Sequence, residues 1–220
     1  MNAPAHPLAA APHEVRRWIT GHLDPLETTV LGGMQIRSDF DLNPSHAPSE
    51  PVSLTPAAVL MGLVEREEGL SVLLTRRADS LRQHTGQIAL PGGRCDPGET
   101  PWATALREAE EEIGLDPARV AVAGLCTPYQ TRTGYYITPV VGFITPPFEL
   151  KPNPHEVADI FETPFGFLMD PANHEQHDRE TPAGDRRKFY AMTWEDRFIW
   201  GATAGMLRAL YDRLYGASVA

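Results

Sequence analysis

The chain has 220 residues, 22% of them charged and 42% hydrophobic, with a formal net charge of −10. That length suits one domain with terminal additions and a sizeable core. The acidity argues against a general nucleic-acid binder, because a phosphate backbone rewards a basic surface.

Two cysteines, Cys95 and Cys126, are too few and too ill-spaced for a zinc site or a disulfide framework, and a reduced cytosol suits them. Met1 to Pro12 lacks a basic start and a long apolar core, so no signal peptide is expected. No run of about 18 apolar residues predicts a membrane span. Val15, Trp18, Ile19 and Leu23 recur at helical spacing and predict an amphipathic helix over His13 to Leu23. The prolines between Asp41 and Thr55 predict a loop. Ala57 to Val64 and Ser71 to Thr75, separated by a polar stretch ending at Gly69, predict a hairpin. Leu90-Pro91-Gly92-Gly93 closes a short strand.

Further on, Val120 to Cys126 and Tyr135 to Ile144 read as strands around a loop at Thr127 to Gly134. Pro146, Pro147, Pro152 and Pro154 mark another loop, which leads to Glu156. Phe161 to Leu168 is expected to dock on the core, and Asp170 to Asp185 to be polar and turn-rich. Phe189 to Trp194 and Arg197 to Trp200 predict a second hairpin across Glu195-Asp196. Ala202 to Tyr215 predicts a closing helix with Met206, Leu207, Leu210 and Leu214 on its apolar side. His174 and His177 have no second ligand pair that would make a zinc site.

The stretch from Gly93 to Leu115 carries the chemistry. Thr100 suits an N-cap, Pro101 the first helical position, and Gly114 the position just past the helix end. At ~100° per residue, Trp102, Ala105, Leu106, Ala109 and Ile113 share the core-facing side, while Glu108, Glu111 and Glu112 share an arc of roughly 100° elsewhere. Three such carboxylates repel one another, and a hard divalent cation turns the repulsion into binding. The bland alternative for the glutamates alone is a solvated face. Glu110 lies off the arc.

Gly93, five residues, Glu99, seven residues, then Arg107-Glu108, Glu111-Glu112, Gly114 and Leu115 resemble the full signature of the Nudix hydrolases. Only Ala109 is smaller than the aliphatic residue usual at its place. The resemblance implies an α/β/α sandwich with a mixed β-sheet, and a division into an N-terminal extension, 1–35, and a hydrolase domain, 36–220. It implies hydrolysis of a nucleoside diphosphate joined to another group, with Mg2+ or Mn2+ held by Glu108, Glu111, Glu112 and the Gly93 carbonyl. Arg107 is expected to pair with Glu99 and hold the loop to the helix. Gly92 and Gly93 let the backbone approach closely. The general base is expected to be Glu156, in a later loop, or Glu108.

Upstream, Leu73-Leu74-Thr75, Ala78, Arg82, Gly86 and Leu90-Pro91-Gly92-Gly93 are similar to the segment that marks the coenzyme A pyrophosphatase branch of that family. Arg77 stands where Thr is usual and Leu90 where Phe is usual. Ile199-Trp200-Gly201-Ala202-Thr203-Ala204 also resembles that branch. The small-molecule substrate implied is coenzyme A, with Arg82, and Arg76 or Arg77, as donors to its phosphates. Tyr129, Tyr135 and Tyr136 are candidates to stack on the adenine. Two rival readings remain: a Nudix hydrolase for ADP-ribose, a dinucleoside polyphosphate or a capped RNA end, and a non-catalytic nucleotide-sensing module, which all the carboxylates being present disfavours.

Overall fold

The computed structural model describes residue 8 and residues 11–27, 36–50, 52–78, 86–181 and 184–216. In chain order the elements begin with α1 (Pro12–Thr20), β1 (Arg37–Ser38) and a hairpin of β2 (Thr55–Arg66) and β3 (Gly69–Arg77). Two short strands, β4 (Ile88–Ala89) and β5 (Gly92–Arg94), lead into α2 (Pro101–Ile113). Then come β6 (Val120–Leu125), β7 (Tyr129–Gln130), β8 (Tyr135–Ile144), β9 (Val157–Pro164) and α3 (Phe165–Leu168). The chain closes with β10 (Glu175–Glu180), β11 (Arg186–Trp194), β12 (Arg197–Trp200) and α4 (Ala202–Tyr215).

Ala57 to Val64 is buried without a break, and that run becomes the middle of the molecule. A strand apolar on both pleats needs a cover on each face, and β2 has one. Its even and odd positions diverge: Val59, Met61 and Leu63 join one core with residues of α1, α3 and α4, while Ala58, Leu60 and Val64 join another with α2. The layering is therefore helix, sheet, helix: an α/β sandwich. Among the described residues nine strands form its sheet, which is mixed. β8 runs parallel to β2 from Thr55↔Tyr135 to Val64↔Ile144, and β3 runs antiparallel to it with Leu63 opposite Val72. β2 is long enough to serve two partners on one side, β3 along its second half and β5 along its first, where Val59 faces Gly92 and Ala58 faces Gly93. That split delivers the Gly-Gly loop to the sheet, next to the helix that follows it.

Three expectations are corrected. Within the Asp170 to Asp185 stretch, Glu175–Glu180 is a strand, because all six of its residues pair with β11 although none is apolar enough to signal it. With β12 it makes a separate three-stranded antiparallel sheet. The Thr127 to Gly134 loop contains β7, which pairs with β8 and, in parallel, with β1. The first helix stops at Thr20, short of Leu23, and packs Val15 and Ile19 into the same core as α4.

Candidate active site

α2 has the caps its sequence implies. The Thr100 hydroxyl accepts from the Ala103 N–H at 3.3 Å, and Gly114 ends the helix at φ 68°, a left-handed conformation that glycine takes without strain. Ala105, Ala109 and Ile113 are fully buried against β2 and β3, and Trp102 packs at the margin of the same cluster. Leu106, expected among them, stays half-buried outside that cluster.

The three carboxylates do not share one environment. Side-chain exposure falls from 59% at Glu111 to 16% at Glu108, and residue exposure is 4% at Glu112. Helical rotation explains it. Glu112 lies ~60° from buried Ala109, whereas Glu111 lies ~160° from it. Among the described residues Glu112 accepts only the Gly92 N–H, at 3.2 Å. Burial pushes its carboxyl up to about 7, against the opposing pull of that N–H and of the Arg77 charge. Burial also raises Glu108, against its hydrogen bond from Arg107. The charge of Glu156 acts on both.

Gly93 is where loop and helix touch. A Cβ there would come within 2.4 Å of Glu108 Oε1, so only glycine leaves the carboxylate its place. At Gly92 a Cβ would meet the Ala58 carbonyl at 2.3 Å, the cost of pairing β5 so tightly to β2. Arg107 then ties the loop down. Its Nε and Nη2 donate to Glu99 at 2.8 and 2.9 Å, Nη2 also reaches the Arg94 carbonyl at 3.1 Å, and Nη1 donates to Glu108 at 2.9 Å and Glu111 at 3.3 Å. Glu99 also accepts the Asp96 N–H and the Thr104 hydroxyl, and these bonds, that from Arg107 first, hold it down at about 2. Thr104 is a partner that the spacing did not announce. Arg94 is another, with its guanidinium on the Tyr135 hydroxyl and over the ring.

Glu156 arrives from the far side. The loop after β8 is stitched to the end of α2 by Lys151 N–H to the Ile113 carbonyl and Asn153 N–H to the Glu112 carbonyl, both at 2.8 Å. The Glu156 carbonyl accepts from Ala78 N–H at 2.8 Å, so it stands beside the end of β3. Arg77 is the last residue of that strand. Arg82 lies outside the described residues. Tyr129 is not available for stacking: it is buried, its ring lies under Gly205 of α4, and its hydroxyl donates to Asp39 at 3.0 Å. Tyr135 and Tyr136 are half-buried.

Among the described residues no three metal-ligating side chains converge on one point. Glu108 and Glu111 are both drawn to one nitrogen of Arg107, and Glu112 turns to Gly92. The donor chemistry nonetheless fits a hard cation. Three carboxylates occupy adjacent turns, one of them is buried with no cationic hydrogen-bond partner among the described residues, and Gly93 keeps the space beside Glu108 clear.

The molecule is thus an α/β sandwich that packs an acidic helix behind a Gly-Gly loop. The comparisons name the family. The model described as NUDIX domain matches residues 54–187. An uncharacterized Nudix hydrolase NudL of Shigella flexneri serotype 5b is 38% identical over 174 residues, covering 79% of this chain and 90% of its own length. Its counterpart in Yersinia pestis, strain Pestoides F, is 40% identical over 159 residues, covering 72% and 79%. A solved structure, the Nudix hydrolase RenU of M. smegmatis, has 28% identity and a TM-score of 0.44, covering 53% of this chain and 74% of its own. The chain belongs to the Nudix hydrolase family. Members of that family generally use divalent metal ions such as Mg2+ or Mn2+.

Proposed function

We propose that this hydrolase cleaves the diphosphate of coenzyme A, giving 4′-phosphopantetheine and adenosine 3′,5′-bisphosphate. One P–O bond of the bridge breaks and one forms from water. Glu108, Glu111, Glu112 and the Gly93 carbonyl would hold Mg2+ or Mn2+. The ion, when bound, offsets the diphosphate charge and activates water. Arg107 and Glu99 keep the loop in register with the helix. Glu156 takes the proton of the attacking water, with Glu108 as the alternative base. Arg82, and Arg76 or Arg77, bind phosphate. The catalytic unit is 36–220, residues 1–35 are an addition to it, and a reducing cytoplasm suits its two free thiols, Cys95 and Cys126.

One observation carries the substrate reading. The two stretches that resemble the coenzyme A branch lie far apart in sequence yet meet on β4. Thr75 Oγ1 donates to the Ala89 carbonyl at 3.2 Å, and Thr203 Oγ1 donates to the Ile88 carbonyl at 3.0 Å. Gly86 sits at φ 66° and Leu90 is 3% exposed, so the glycine and the apolar anchor of the segment each have a structural reason. The resemblance therefore belongs to one built unit beside the Gly-Gly loop.

The test is a panel of coenzyme A, dephospho-coenzyme A, ADP-ribose and a dinucleoside polyphosphate with magnesium, followed by chromatography. Coenzyme A is expected to turn over fastest. Arg82→Ala is expected to slow coenzyme A by roughly ten- to a hundredfold, the worth of a charged hydrogen bond, while sparing the dephospho form. A wide preference for ADP-ribose would sink the substrate reading and leave the family chemistry intact.

A further inference from the structure

The three-stranded sheet of β10, β11 and β12 has two unlike faces. One carries Met192 and Ile199 into the core shared with α4. On the other, the register sets His177 opposite Phe189, Thr193 opposite Phe198 and Ala191 opposite Trp200, which gathers four aromatic side chains on one side. They touch one another. His177 stacks on Phe189 with centroids 5.9 Å apart and makes a T-shaped contact with Phe198 at 5.7 Å, and Phe189 meets Trp200 at 5.4 Å. Phe198 nonetheless stays 41% exposed, the one aromatic among the exposed large apolar side chains of the described residues. A ring left in water beside other rings suits a flat partner, which it can take by stacking.

The same face carries charge, and the charge has a direction. At one end Glu175 accepts from His177 at 2.7 Å. At the other, Arg179 stands directly opposite Arg187. Like charges set across a ladder repel. Asp39 neutralises Arg187 at 3.0 Å, whereas the exposed Arg179 side chain has no hydrogen bond or ion pair among the described residues. Residues two apart on a strand point the same way and lie about 7 Å from each other. The guanidinium and the rings therefore suit a ligand with a flat base and an anion one sugar away, and a planar guanidinium matches phosphate bidentately. The face also adjoins the catalytic region. β12 packs beside β4, and Thr203, three residues past Trp200, donates to the Ile88 carbonyl in the segment that runs into the Gly-Gly loop.

We propose that this outer face of β10, β11 and β12 is a second ligand site, separate from the acidic helix, that stacks the base of a purine nucleotide on Phe198 and His177 and takes its phosphate on Arg179. The inference does not rest on the coenzyme A reading. Its bland alternative is that the rings only shield buried Ala191 while Arg179 is an ordinary solvated charge.

Phe198→Ala and Arg179→Gln both alter exposed side chains, so each is expected to keep the fold. Calorimetry in chelator, where the acidic helix holds no cation, measures adenosine 3′,5′-bisphosphate and adenosine against each protein, and sedimentation reads the oligomeric state. Wild-type protein is expected to bind the bisphosphate more tightly than adenosine. Phe198→Ala is expected to weaken both ligands by roughly five- to a hundredfold, the worth of one stacked base. Arg179→Gln is expected to weaken the bisphosphate by about tenfold and to spare adenosine. Equal binding by wild type and both variants overturns the proposal, as does wild-type protein that takes neither ligand. So does a Phe198→Ala protein that splits a dimer while nucleotide binding stays unchanged, which would make the face a contact between copies of this chain. Should Phe198→Ala not fold, Arg179→Gln decides by its selectivity between the two ligands. None of these readings is a turnover, so the result stands whatever the substrate panel shows.

Discussion

Two charged clusters lie on opposite faces of the sheet, and they are built differently. Beside α4, acids and arginines are matched: Asp212 bonds Arg208 and Arg37, Asp24 takes both ends of Arg213, and Asp39 accepts from Arg187, Tyr129 and the Arg132 N–H. A hollow lined by Arg37, Asp39, Tyr129, Lys188, Tyr190 and Arg208 lies there, walled by those ion pairs. Beside α2 the count does not balance. Arg107 serves three glutamates and gives its two-pronged grip to Glu99, leaving Glu108 and Glu112 with burial and little compensation. Paired charges hold a fold together, whereas buried charges short of partners mark a place prepared for something else.

The comparison breaks most sharply at Glu112. Glu112→Gln is expected to lower turnover by on the order of 10⁴-fold with the fold intact, and a chelator to do the same, because the buried carboxylate is needed to hold the cation. Full activity in either case would remove the metal role from this helix. Next in size is Glu156→Gln. It is expected to reduce the maximal rate by about 10²- to 10⁴-fold, the worth of a general base, with Mn2+ affinity unchanged. A loss of only a few-fold would move the base to Glu108.

Gly93→Ala tests the contact between loop and helix. The added methyl would lie within 2.4 Å of the Glu108 carboxylate, and the shift of about 1 Å needed to relieve that is expected to cost about 10²-fold in rate, read by steady-state kinetics.

The pH dependence sharpens the contrast in stability. In chelator the Glu112 carboxyl, raised in the folded state from 4.5 to about 7, favours folding fully below its ordinary value. That contribution is lost as pH rises through about 7, and amounts to on the order of 3 kcal/mol across the window. Thermal melts of the chelated protein should therefore fall between pH 5 and pH 8 more steeply than those of Glu112→Gln. Equal slopes would show that Glu112 is not the strained group.

The smallest effect is expected from the matched face. Asp212→Asn removes a partner from two half-exposed arginines, and should cost at most about 1 kcal/mol while leaving turnover within about twofold. A large loss of activity there would erase the distinction between the clusters.

The most legible part of the chain was the part with local rules. Thr100, Pro101 and Gly114 announced both ends of α2, because caps depend on a few neighbouring residues. The unbroken apolar run from Ala57 to Val64 announced a strand of a hairpin, and the structure adds that it is buried on both faces. Glu175–Glu180 was illegible because its conformation comes from six partners on β11 and not from its own polar side chains. The tyrosines show the same limit: nothing near Tyr129 in sequence tells that Gly205 and Asp39 enclose it.

Sequence by itself determined the sandwich class, the acidic helix, the order of its carboxylates, and the glycines that let a loop approach them, since spacing along a helix and backbone permissiveness are properties of the chain alone. Tertiary structure decided which of three equivalent-looking glutamates is buried, that among the described residues the Arg77 Nε is buried without a hydrogen-bond partner, and that a loop 40-odd residues on brings Glu156 to the end of β3. Burial and charge pairing depend on what packs against a side chain from distant segments, and no local pattern carries that information.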